Sequence, residues 1–188
     1  MLVSGAGTNL QAILDSEIES LRVVISDVPD ATALQRAAQA GIPTEVVPFT
    51  STRSAFTDQI CESAARHGAE ALVLAGFMRV LAPEAIKRYP HRILNIHPSL
   101  LPAFPGVDAV SQALSYGVTV TGVTVHFVDE KVDHGPIIAQ RAVPVLPGDD
   151  EESLHARIQK VEHDLYPRVV AAFLRGDVFV ENGKVVLR

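Results

Sequence analysis

Short apolar runs alternate with amphipathic stretches through the first half of the chain. Residues 1–3, 21–25, 44–47, 71–75 and 92–96 read as strands. Ala71-Leu72-Val73-Leu74-Ala75 lacks polar alternation, which suits a parallel strand covered on both faces. Between these runs, residues 9–19, 31–40, 54–67 and 84–88 read as helices, with Gly41 closing the second and Pro83 opening the fourth. The repeated unit is βα. The first run leaves about three residues for a strand where five or six are usual, so restoring apolar residues upstream is expected to raise thermal stability.

The rhythm changes at Val118. Residues 118–128 are rich in β-branched side chains, and residues 136–145 form a second such run after a loop of about seven residues, a hairpin-like pattern. Residues 152–175 carry Leu154, Ile158, Val161, Leu165, Val169 and Phe173 three or four apart, predicting a long helix that Pro167 divides or kinks. Glu162 falls on its polar side, where an acceptor for a substrate amine and a solvated carboxylate are equal readings. Residues 179–187 form a terminal hairpin centred on Asn182-Gly183. The fold class is α/β: an open, mostly parallel twisted sheet flanked by helices, with an antiparallel carboxyl-terminal portion.

A chain of 188 residues buries about 70% of its extended surface, enough for one core and one domain. Hydrophobic residues at 47% and charged residues at 20% describe a soluble globular protein, and no apolar run approaches the roughly 20 residues of a membrane span. One cysteine forms no internal disulfide, so a cytoplasmic location is expected. The net charge of -6, with 16 scattered basic residues, disfavours a nucleic-acid partner. Small-molecule substrates remain, including an anionic one, and the terminal hairpin leaves a monomer or a weak homodimer open.

Four segments bear chemistry. Gly5, Ala6, Gly7, Thr8 and Asn9 join a strand to a helix, where free N–H groups favour a phosphate. A simple strand-to-helix turn accounts for the same glycines. The third glycine of a dinucleotide fingerprint is absent, since Leu10 stands there, and no Walker lysine follows. Arg53 reads as a second anion clamp or an ordinary surface arginine. Asn95 and His97 lie two apart at a strand exit and therefore face one side, and Pro98 holds His97 extended. An amide beside an imidazole suits a carbonyl whose oxygen gains charge, because one donates a hydrogen bond and the other moves a proton near neutrality. Asp133 would orient the ring, with a simple Asx-turn as the alternative reading. No metal is expected, because His91, His97, His126 and His134 form no ligand spacing and Cys61 lies among helix residues.

Residues 4–13, Leu74-Ala75-Gly76-Phe77-Met78-Arg79-Val80-Leu81, residues 95–102, Thr124-Val125-His126-Phe127-Val128 and Val132-Asp133-His134-Gly135-Pro136 together resemble the phosphoribosylglycinamide formyltransferase family, from Ser4 through the last helix. The resemblance implies a formyltransferase-like, Rossmann-type architecture. It implies a single domain over residues 1–188, with approximately 1–100 as phosphate-binding portion and 101–188 as folate-binding and closing portion. It further implies 10-formyltetrahydrofolate as formyl donor and a ribosyl phosphate acceptor with a free amine. By the same resemblance, Asn95, His97 and Asp133 are catalytic. Gly5, Ala6, Gly7, Thr8, Asn9, Arg53 and Glu162 bind the acceptor, and Met78, Arg79, Val80, Leu81, His126, Val128 and Asp129 bind the folate.

One departure stands out. Asp108 occupies the place where the family commonly has a histidine, which bears on hydrogen bonding around the central trio. Methionyl-tRNA formyltransferases share the formyl-transfer core, but their Trp-Arg-Gly stretch is replaced here by Phe104-Pro105-Gly106. Formyltetrahydrofolate deformylases carry a His-His-Ser context where this chain has His97-Pro98-Ser99. A weak metabolite-binding protein on the same fold is the remaining alternative, opposed by the intact trio.

Overall fold

A computed structural model describes residues 1–16, 18–49 and 52–188, in two compact units, Met1–Asn95 and Ile96–Arg188. In the first unit, β1 (Leu2–Val3), β2 (Val24–Ser26), β3 (Thr44–Val46), β4 (Leu72–Leu74) and β5 (Ile93–His97, which runs into the second unit) alternate with helices. These are α1 (Thr8–Leu14), α2 (Thr32–Gln39), α3 (Arg53–Arg66) and α4 (Pro83–Arg88). The strand order is β3-β2-β1-β4-β5, with each described pair parallel. Leu2, Val3, Val24, Ile25 and Leu94 are fully buried, the two-sided cover that a parallel strand requires. Burying each such side chain contributes about 1.5–3 kcal/mol. β3 lies at the sheet's edge and leaves Thr44 and Val46 exposed. Its Glu45 accepts from Ser63, Arg66 and the His67 ring, so charge blunts that edge.

The second unit holds α5 (Ala109–Tyr116), β6 (Val120–Phe127), β7 (Ile137–Pro144), α6 (Glu151–Leu174), β8 (Val178–Glu181) and β9 (Lys184–Leu187). β6 and β7 pair antiparallel, with a register shift at Val125/His126, and β8 and β9 form the terminal hairpin. The sheet of the chain is thus mixed and mostly parallel, flanked by helices, with antiparallel strands toward the carboxyl end. Phe127 meets Phe173 of α6 edge-on at 5.9 Å, and both are buried.

Two expectations need correction, and one helix was missed. The first helix ends at Leu14 rather than residue 19, and Glu17 of the expected stretch lies outside the described residues. α5 was not expected at all. Pro167 does not divide α6, which runs unbroken from Glu151 to Leu174. Among the described residues, no helix is long and apolar enough to cross a membrane.

Candidate functional site

The order β3-β2-β1-β4-β5 places a reversal between β1 and β4, since successive connections leave those two neighbours in opposite directions. Ligands of open α/β sheets sit outside the strands' carboxyl ends at such a reversal. Here the glycine loop follows β1 and Gly76–Leu81 follows β4. Gly7 takes φ 71° as N-cap of α1, and a Cβ there would lie 2.6 Å from that of Ala33. Glycine is therefore required for both conformation and approach. The Gly5 and Ala6 carbonyls accept from Ala33 N–H and Arg36 Nε, which fixes the loop's shape. Thr8 opens α1, and Asn9 is buried.

Ser4 ties the glycine loop to the segment after β4. Its N–H donates to the Gly76 carbonyl at 3.1 Å, and its Oγ accepts from Met78 N–H at 2.9 Å. Arg79 is committed to Asp27, with Nε donating to Oδ2 at 2.7 Å and the guanidinium over Phe49. Arg53 donates to the Leu81 carbonyl at 2.7 Å, so it reaches this segment. Ser51 beside it lies outside the described residues. Met78 and Val80 are left 69% and 49% exposed. Asn95 pairs with Leu74 in the β4–β5 ladder, at the same carboxyl edge.

His97 ends β5 and is 5% exposed. Its Nε2 lies 2.8 Å from the Phe104 carbonyl, and a carbonyl only accepts, so Nε2 carries a proton. Nδ1 faces Asp133 Oδ2 at 3.3 Å. That same oxygen accepts from Gly106 N–H at 2.7 Å. Asp133 Oδ1 lies 3.6 Å from His126 Nε2, an electrostatic neighbour rather than a good hydrogen bond. Burial alone would raise the Asp133 carboxyl, but His126, the Gly106 N–H and His97 outweigh it and hold the group below the usual carboxylate range. Asp133 takes φ 52°, and Phe104 and Asp108 are also left-handed. Such backbone strain in non-glycine residues gathers at functional sites.

Asp129 Oδ1 accepts from Lys131 N–H, two residues on, while Oδ2 meets the exposed His134 ring. Val128 precedes it, just after β6 ends at Phe127. Asp108 is exposed at the start of α5 and makes no side-chain cap. The turn after His97 is held by Thr124 of β6. Its Oγ1 donates to the Ser99 carbonyl at 2.7 Å and accepts from Leu101 N–H at 3.0 Å and Gln140 Nε2 at 2.9 Å.

His126, expected among the folate-binding residues, has an imidazole 1% exposed, with Nδ1 on the Phe127 carbonyl at 2.8 Å and Nε2 toward Asp133. Glu162 is 6% exposed, not on a polar face, because it stands four residues after Ile158 and four before Tyr166, on the buried stripe of α6. Sequence reasoning also missed Gly106 and the Phe104 carbonyl, which are backbone contributions that no motif declares. Among the described residues, no group of three or more His, Cys, Asp or Glu is arranged to hold a metal ion.

A family model described as formyl transferase matches residues 1–170. Phosphoribosylglycinamide formyltransferase of Escherichia coli (strain K12) is 43% identical over 183 residues, which cover 94% of this chain and 86% of that protein. The crystal structure of glycinamide ribonucleotide transformylase 1 from Symbiobacterium toebii superposes with a TM-score of 0.95 at 47% identity, over 99% of this chain and 91% of that one. The chain also matches the trifunctional purine biosynthetic protein adenosine-3 of Drosophila melanogaster at 43% identity, but spans only 14% of its length.

Proposed function

Since the chain belongs to the formyl transferase family, among its phosphoribosylglycinamide formyltransferases, we propose that it transfers a formyl group from 10-formyltetrahydrofolate to the amine of glycinamide ribonucleotide, a step of purine biosynthesis. One observation carries the chemistry: an aspartate whose side chain is 9% exposed, set between two imidazoles and a backbone N–H, with His97 at the end of β5 and Asn95 two residues earlier on that strand.

The amine nitrogen attacks the formyl carbon, and negative charge develops on the formyl oxygen. Asn95 donates its side-chain N–H to that oxygen, and His97 supports it with a second N–H. The His97 Nε2 proton rests on the Phe104 carbonyl, so the formyl oxygen competes with that carbonyl as charge grows. Asp133, ionised at neutral pH by its surroundings, draws a proton from the attacking nitrogen directly or through water. A proton then reaches the folate nitrogen as the carbon–nitrogen bond to it breaks. No covalent enzyme intermediate and no metal are needed.

Gly5, Ala6, Gly7, Thr8 and Asn9 take the acceptor's phosphate, Arg53 assists, and Glu162 accepts from the glycinamide portion. Met78, Arg79, Val80, Leu81, His126, Val128 and Asp129 bind the folate. The exposed apolar surface of Met78 and Val80 supports this assignment. The chain works as one formyltransferase domain, with residues 1–100 or so binding phosphate and 101–188 binding folate and closing. It acts in the cytoplasm on small molecules, without nucleic acid, as a monomer or weak homodimer.

The test is an assay with both substrates that follows folate release and formylated product together. Equal amounts of both support transfer, and folate release without formylated product overturns it in favour of hydrolysis. Asn95→Ala should keep the fold and lower turnover by about 10²–10³. Near-normal turnover at saturation would remove Asn95 from the mechanism.

A further inference from the structure

Asp27 follows β2, and its side chain is 1% exposed. Two groups hold it. Ser4 Oγ donates to Oδ1 at 2.6 Å, and Arg79 Nε donates to Oδ2 at 2.7 Å. Ser4 opens the glycine loop, and Arg79 belongs to the segment after β4. The two are already joined directly, by Ser4 N–H on Gly76 O and by Met78 N–H on the Ser4 hydroxyl. Joining two loops needs no more than that. A carboxylate withdrawn from water is costly unless its partners stay in place, so Asp27 makes the position of each segment depend on the other. The Phe49 ring, 5.1 Å beneath the Arg79 guanidinium, fixes the plane in which that donor approaches.

We infer that Asp27 is a positioning residue that couples the two substrate sites. This rests on the reading of the glycine loop as acceptor site and of Met78–Leu81 as folate segment. A ligand that orders the glycine loop fixes the Ser4 hydroxyl, and through Asp27 it fixes Arg79 and the backbone beside it. The ordering cost of the second ligand falls accordingly, and by linkage each ligand tightens the other by the same factor.

The test is titration calorimetry of the whole chain with glycinamide ribonucleotide and tetrahydrofolate, each alone and with the other saturating. Without a formyl group nothing turns over. In the unmodified protein each ligand should tighten the other by ~5-fold or more. In Asp27→Asn, which removes the charge, and in Ser4→Ala, which removes the link to the loop, that factor should fall to about 1. Should Asp27→Asn not fold, Arg79→Met decides, with the same fall expected, because it frees Asp27 from the segment after β4 while leaving the Met78 N–H bond to Ser4 Oγ in place. A purely structural Asp27 would lower Tm or weaken both ligands while leaving the factor intact, and that result overturns the inference. An unmodified protein that transfers formyl groups but shows no mutual tightening overturns the coupling alone. One that transfers none overturns the underlying reading as well.

Discussion

A methyl group at Gly135 would lie 1.9 Å from the Phe127 carbonyl oxygen, 2.9 Å from its carbon and 3.2 Å from Asp129 N. Carbon–oxygen contacts of this kind sit near 3.3 Å, so Gly135→Ala must open the gap by about 1.4 Å. Two things stand to give way. One is the Phe127 carbonyl, which holds His126 Nδ1 at 2.8 Å. The other is the loop, in which Asp133 two residues earlier is bound to Gly106 and faces His97. Overpacking on this scale costs about 1–3 kcal/mol, or roughly 2–12 °C in Tm for a chain of this size. The catalytic cost should be larger, because a displacement near 1 Å of a reacting group lowers turnover by about 10²-fold. His134→Ala is the control, since its exposed ring can go without moving the backbone. Steady-state kinetics and thermal melts of both variants decide the matter. A folded Gly135→Ala protein with kcat within about twofold of the unmodified one would refute the argument. So would an equal loss in His134→Ala.

Burial, opposed by Arg88 and reinforced by Asp58 and Glu62, pushes the Cys61 thiol up to about 11. Iodoacetamide at pH 8 should label it in urea but not in the native protein, and the stability tied to it should be lost as pH rises from about 8.5. Rapid native labelling would contradict this. Asp133, held low, contributes stability present above its unfolded value near 3.9 and lost as pH falls below it. Urea titrations across acid pH should therefore show a shallower loss for Asp133→Asn. Phe56 packs edge-on against Phe49 at 5.3 Å and stacks on Phe77 at 6.2 Å. Phe56→Leu should cost about 1–3 kcal/mol by losing both ring pairs, read as a lower urea midpoint with an unchanged m-value.

The parallel half was legible because two-sided burial writes continuous apolar runs into the sequence, as in residues 71–75. α5 was hidden by its lack of opening signals: Asp108 starts it in a left-handed conformation without a side-chain cap, after a Pro-Gly turn. Its mixture of small, polar and apolar residues, Ala109 to Leu114, reads as readily as loop. Glu162 was misassigned because Val161 completed the apolar spacing one residue early. Counting by fours from Leu154 would have reached Ile158, Glu162 and Tyr166 and so exposed a carboxylate on the buried stripe. Asn95 and His97 were visible as a pair since period-two geometry is local. The approach of Asp133 depends on Gly106 and on backbone at positive φ, and tertiary geometry of that kind leaves no spacing to read.

The hydroxyl of Thr124 has a consequence for the timescale of the turn after His97. By backbone form that turn is an irregular loop, the kind that usually opens freely to solvent. Its Leu101 amide, however, is closed by an oxygen on a central stretch of β6 whose three hydrogen bonds are all filled. In deuterium oxide the Leu101 proton should exchange in step with the β6–β7 ladder rather than with neighbouring loops. The segment on which His97 is mounted then shares the opening equilibrium of the sheet, so heat or denaturant that loosens surface loops leaves the imidazole's footing in place until the hairpin itself lets go.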